Sequence, residues 1–273
     1  MASWIDLGEM DTDLLLFGGP YSNLHATDAL LKVARQAGIG GVRMICTGDV
    51  VGYGAAPAGT VAALRVAGAA VIAGNVERQL GMEADACGCG FAPGSTCDRL
   101  SAGWFAHADA AIGAEDRIWM AGLPDMAVLR HHGMRYAIIH GGATNVARFI
   151  WPDEAEPVFA EEVAAITQAV GPIDGVIAGH CGVPFIRQVA GVQWVNAGVI
   201  GMPPHDGAPQ TRYTLLKEGV PSLQRLDYDH AAARAAMTDA GLTQGYQDAL
   251  MSGYWPSDDV LPASLRVAAS DRG

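Results

Sequence analysis

Four short motifs carry the residue types of a metal centre: Gly48-Asp49, Gly74-Asn75, His140-Gly141 and Gly179-His180. Together they supply a carboxylate, an amide oxygen and two imidazoles, a mixed set that suits Mn, Fe, Co or Zn better than Ca or Mg. An ion of that kind polarises a phosphoryl group and lowers the pKa of a bound water. Taken singly, each dipeptide also reads as a helix cap or a glycine turn. Their position favours ligation, because each stands just after an apolar run, at residues 42–46, 69–73, 136–139 and 175–178, that reads as a buried strand. Ligand sites of open α/β sheets form beyond the carboxyl ends of the strands, where all four would meet.

In this order the motifs resemble those of the calcineurin-like metallophosphoesterases, most closely the small bacterial branch that includes phosphodiesterases and diadenosine tetraphosphatase-like proteins. That family carries D-x-H, G-D, G-N-H-D, H-G and G-H-x-H in succession, and its Asp, Asn and His side chains hold two metal ions. The likeness runs from about residue 14 to about residue 216 and includes Gly48-Asp49-Val50-Val51-Gly52-Tyr53-Gly54 and Val195-Asn196-Ala197-Gly198-Val199-Ile200-Gly201. It implies a four-layer α-β-β-α sandwich of two facing mixed sheets. The implied activity is metal-dependent hydrolysis of a small phosphomonoester, phosphodiester or nucleotide.

The departures fall on chemically important positions. Gly19 stands where the family has its first Asp and Tyr21 where it has its first His. Gly74-Asn75 continues as Val76-Glu77, and Gly179-His180 as Cys181-Gly182. By the resemblance, Gly19, Tyr21 and Gly182 strip one metal of its ligands, while Asp49, Asn75, His140 and His180 match the ligands of the other. One divalent transition ion is therefore expected, with Cys181 a further candidate ligand. Val76 cannot protonate a leaving group, a role worth about 10²–10⁴-fold, unless Glu77, His25 or Tyr21 replaces it. Asn23, Tyr21, Glu77 and Arg148 are the candidate substrate contacts, and Tyr53, Arg187 and Arg212 are weaker ones. Asn23 reads equally as the N-cap of a helix beginning near Leu24. His131 and His132, ahead of Gly133 between two strand-like runs, read as exposed hairpin residues. A non-catalytic descendant that binds metal or phosphate, with a regulatory or scaffold role, is the competing reading. A metal centre of altered type, using Cys181, Glu77 or the cysteine loop, is the third.

Composition narrows the partners. Seventeen Lys+Arg against 29 Asp+Glu give a net charge of −12, which disfavours nucleic acid and anionic membranes. The opening residues include Asp6, Glu9, Asp11 and Asp13 with no basic residue, unlike a signal peptide, and no apolar run approaches the ~20 residues of a membrane span. A cytoplasmic protein acting on a small phosphorylated substrate is expected. Five cysteines, an odd count, do not read as a disulfide framework. Cys87, Cys89 and Cys97 cluster in a Gly-rich loop and read as buried or free thiols, with metal binding by the loop as the alternative. Cys46 reads as packed core.

The elements that must position these residues alternate between strand and helix. Leu24, Leu30, Leu31, Ala34 and Ala37 mark one face of a helix stopped by Gly38. A second starts near Pro57, turns Val61 and Leu64 inward and stops at Gly68. Phe159, Val163, Ile166 and Val170 form a third stripe, with Glu154, Glu156, Glu161 and Glu162 on or near its solvent side. Residues 184–195 and 213–216 read as later hairpin strands. The expected organisation is a domain over 1–227, with 77–121 a lid-like insertion that includes a helix over 99–112. A helical C-terminal extension over 228–273 follows, its aromatic anchors docking on the core or joining a second subunit.

Overall fold

In the computed structural model, which describes residues 3–267, continuous apolar segments become strands buried on both faces. The elements in chain order are β1 (Trp4–Glu9), β2 (Leu14–Phe17), α1 (Leu24–Gln36), β3 (Met44–Cys46), α2 (Pro57–Ala67), β4 (Ala70–Val71), α3 (Asn75–Gly81), α4 (Thr96–Ala111) and α5 (Ala114–Ala121). There follow β5 (Met126–His131), β6 (Met134–Ile138), α6 (Glu156–Val170), β7 (Gly175–Ala178), β8 (Phe185–Val189), β9 (Val192–Asn196), β10 (Thr211–Lys217), β11 (Val220–Leu226), α7 (His230–Asp239) and α8 (Tyr246–Ser252). One sheet has the order β1-β5-β6-β7-β9-β8 and the other β11-β10-β2-β3-β4. Parallel pairs β2/β3, β3/β4, β6/β7 and β7/β9 bring four successive strand ends to one edge of the sandwich.

Alternation along β2 shows how the layers are held. Leu14 and Leu16 pack between the sheets with Ile45, Leu129, Ile138 and Ile177, whereas Leu15 and Phe17 face the layer that contains Leu30, Val61 and Leu64. On the opposite outer face Phe159 and Ile166 of α6 pack against Val176 and Trp194. Helix, sheet, sheet and helix therefore stack in four layers, the expected α-β-β-α sandwich.

Several local expectations need correction. The run at 42–46 begins as a 3-10 turn over Gly41–Arg43, and only Met44–Cys46 is strand, leaving Val42 exposed. The strand expected over 69–73 is reduced to Ala70–Val71. Glu162 lies wholly buried, since its carboxylate accepts from the Ala143 and Thr144 amides at 2.6 and 3.0 Å and pairs with Arg148. β1, an exposed edge strand, has no apolar signature and was not expected. His131 is buried at the end of β5 and not an exposed hairpin residue; His132 and Gly133, with φ of 47° and 78°, make the tight turn. Within the insertion, α4 starts three residues ahead of the expected helix because Ser95 caps it through the Asp98 amide. The C-terminal anchors Tyr246, Leu250 and Leu261 are buried against their own chain.

Candidate metal centre

The four motif residues meet where the strand ends converge. Nε2 of His140 lies 3.1 Å from Oδ1 of Asn75, 3.0 Å from Nδ1 of His180 and 3.3 Å from Oδ2 of Asp49. None is more than 7% exposed. The loops that deliver them touch at glycines: a Cβ on Gly48 would fall 2.5 Å from the Gly74 nitrogen, and one on Gly74 would fall 2.2 Å from Oδ1 of Asp49. Asp49 and His180 themselves take left-handed backbone, with φ of 55° and 62°. Non-glycine residues hold that conformation at a cost of about 1–3 kcal/mol each, which the surrounding packing must offset.

Every ligand has a support that aims it. Nδ1 of His140 donates to the Thr47 carbonyl at 2.6 Å, so the lone pair sits on Nε2 and faces the other ligands. The Asn75 amide nitrogen donates to the Cys87 carbonyl at 2.9 Å and contacts Sγ of Cys89 at 3.4 Å, which turns Oδ1 toward His140. The Phe149 ring lies 4.4 Å from the His180 ring. Glu77 accepts from the backbone amides of Asp49 at 2.7 Å, Gly74 at 2.9 Å and Val51 at 3.3 Å, tying two ligand loops together.

The electrostatics suit a cation. Burial works to raise the Asp49 carboxyl, but His140, His180 and the Val76 amide outweigh it and hold it below the usual carboxylate range. Burial and the neighbouring His140 push His180 down to about 3, so it presents a neutral lone pair. His140 is pulled the other way: burial opposes its charge, yet Asp49 and the Thr47 carbonyl raise it. Glu77 is pushed up to about 7, first by burial and then by Asp49. One carboxylate, one amide oxygen and two imidazole nitrogens converging on a point fit one divalent transition ion.

The stripped half is filled by other side chains. A Cβ on Gly19 would fall 2.6 Å from Cζ of Tyr21 and 2.7 Å from Cγ1 of Val199, so the Tyr21 ring takes the space of the missing Asp. A Cβ on Gly182 would meet Cζ2 of Trp255 at 3.1 Å, so an indole from the C-terminal extension stands where the second His would project. Trp255 is anchored there by its Nε1 donating to the Pro203 carbonyl at 2.7 Å. Between these rings and His180 lies a narrow cavity of about 50 Å³, whose walls include Tyr53, Phe149, Cys181 and Tyr246.

The other candidates have separate roles. Asn23 caps α1 through the Ala26 amide at 3.1 Å and donates to the Gly201 carbonyl, so the cap reading holds. The Arg148 guanidinium pairs with Glu161 and Glu162. Arg187 binds the Pro152 and Glu154 carbonyls, and Arg212 pairs with Asp206. Cys181 lines the cavity wall; its Sγ contacts the Val183 carbonyl and the Asn196 amide, and burial raises its thiol to about 12. Cys87 and Cys89 form a disulfide, correcting the free-thiol and metal-loop readings, whereas Cys97 is a buried thiol. Thr47 and Phe149 escaped the sequence reading, and Trp255 was expected only as an anchor of the tail, because their contributions to the site depend on contacts between distant segments.

Comparison with known proteins agrees with this geometry. Residues 19–218 match the family described as the calcineurin-like phosphoesterase superfamily domain. The fold is similar to that of a metallophosphoesterase from Sphaerobacter thermophilus, with a TM-score of 0.69, 20% identity, and coverage of 89% of this chain and 100% of that one. It is also similar to a hypothetical protein from Pyrococcus horikoshii OT3, with a TM-score of 0.72, 15% identity, and coverage of 90% and 99%. At these identities the likeness is one of fold. No curated protein matches the sequence.

Proposed function

Because the chain belongs to the calcineurin-like phosphoesterase superfamily, we propose that it is a metal-dependent phosphoric-ester hydrolase acting on a small phosphomonoester, phosphodiester or nucleotide. The observation that carries this reading is the convergence of Asp49, Asn75 and His180 on Nε2 of His140, with Nδ1 fixed by Thr47. A divalent ion held there supplies Lewis acidity toward a phosphoryl oxygen and an acidified water. The chain's own groups do the rest. Thr47 and the Cys87 carbonyl orient ligands, Glu77 fixes the ligand loops, and Tyr21 and Trp255 wall the cavity beside His180.

The buried Tyr21 hydroxyl keeps its proton, because burial and then Asp49 raise it well above the ordinary phenol range, and it can donate to a phosphoryl oxygen. Val76 offers no acid for the leaving group, and Glu77 is committed to three backbone amides. The reaction therefore depends on a good leaving group. The burial of all four ligands favours a second reading, a binding protein without turnover.

The test is metal analysis of the purified protein combined with assays on an aryl and an alkyl phosphodiester and on phosphomonoesters, with Mn, Fe and Zn added separately. Loss of one transition ion per chain in His180→Ala relative to wild type, with aryl ester turned over far faster than alkyl ester, is the expected result. A filled site that turns over none of the esters would establish the binding protein instead.

A further inference from the structure

Apart from the centre described above, one other trio of metal-ligating side chains meets among the described residues: Asp11, His131 and His132 offer one donor atom each within 4.8 Å of one another. Asp11 lies in the connection between β1 and β2, His131 ends β5, and His132 begins the turn to β6. Since β5 runs antiparallel to β6, this trio sits at the end of the sheet opposite the one where His140 emerges.

His131 repeats the arrangement found at His140. It is wholly buried, and its Nδ1 lies 2.6 Å from the Met10 carbonyl. A carbonyl can only accept, so the proton is on Nδ1 and the lone pair on Nε2. Nε2 is buried and has no hydrogen-bond partner. Leaving such an atom unpaired typically costs about 1–3 kcal/mol, and a metal ligand is one of the few roles that offsets this. The other two ligands are also held in place. Asp11 accepts from the His132 amide at 2.6 Å, and the His132 ring stands edge-on to His131, 4.6 Å between centroids. His132 itself takes left-handed backbone, with φ of 47°.

We propose that Asp11, His131 and His132 form a second, non-catalytic site for a divalent ion of the zinc class, which fastens the N-terminal strand to the β5–β6 hairpin. Two imidazoles and one carboxylate supply three of the four N/O ligands of the tetrahedron that zinc accepts, and a water would complete it. The bond bridges residues 121 apart in sequence, at an edge where β1 is mostly exposed and pairs with β5 alone.

The experiment titrates zinc into the full chain carrying Asp49→Asn and His180→Ala, which disables the first centre, and into the same chain with His132→Ala or Asp11→Asn added. His132 and Asp11 are exposed, so neither change disturbs the core. One zinc bound at micromolar or tighter concentration is expected, together with a rise in melting temperature. Both should weaken at least 100-fold or vanish with His132→Ala. In an otherwise wild-type chain, His132→Ala should leave phosphoesterase activity unchanged. Zinc binding that is unaltered by His132→Ala, or that needs millimolar metal, would overturn the proposal.

Discussion

The ring of Tyr21 lies where a side chain on Gly19 would have to go, with Cζ 2.6 Å from the position of a Cβ. The two residues are coupled, and a metal ligand cannot be restored at one without altering the other.

Gly19→Asp alone should therefore not create a second ion beside the first. The substitution meets both the Tyr21 ring and a φ of 42°, and it should destabilise the protein by about 1–3 kcal/mol. Metal content and denaturant midpoints of Gly19→Asp, and of Gly19→Asp with Tyr21→His and Gly182→His, check this. A second neighbouring ion in the single variant would refute the coupling.

Asp49→Asn and His180→Ala should each lose the ion of this centre and phosphoesterase activity together. Removing a direct ligand should exceed the roughly 10–100-fold loss in affinity typical of an outer-shell change. Wild-type occupancy of the centre in both variants would remove the proposed site.

Glu77 separates stability from chemistry. Glu77→Ala strips acceptors from three buried amides and should cost at least about 3 kcal/mol, whereas Glu77→Gln keeps one carbonyl acceptor and should cost less. Chemical denaturation compares the two. Equal stability of both variants with wild type would show that the loop staple contributes nothing.

Metal affinity should rise with pH by about tenfold per unit below the raised value of His140, then level off. Well below pH 7 the ligands displace one proton, because His180 stays neutral down to about 3 and Asp49 is already ionised, whereas near pH 7 Glu77 and a bound water add to the count. Calorimetry in two buffers of different ionisation enthalpy counts the protons, and a count of two in the lower range would contradict the assignment. Without metal the sign reverses: the raised His140 stabilises the fold below the ordinary histidine range, and that contribution is lost as pH climbs through its folded value.

The strand-end candidates were legible because each follows an apolar run and pairs a glycine with a donor, and the structure brings all four side chains together. Each of Asp49, Asn75, His140 and His180 is weak alone, and it is their shared order and position after apolar runs that singles them out. What stayed hidden depends on partners far away in sequence. The Thr47 carbonyl reaches His140 across 93 residues, and Glu162 is buried because Arg148 and the amides after Gly142 meet it. β1 was missed since an exposed edge strand has little apolar alternation to detect, and His131 was misplaced because its burial comes from Met10 across the β1–β5 edge.

The placement of Trp255 has a consequence for how the protein is made. The indole that fills the stripped half is synthesised 52 residues after Pro203, the carbonyl that secures it. At roughly 5–20 residues per second a ribosome needs about 3–10 s to cover that distance. During that interval the residues of the four motifs have already been synthesised while the wall contributed by Trp255 is still missing. The wall that Trp255 adds to the cavity beside His180 is therefore made last, after every residue of the candidate centre.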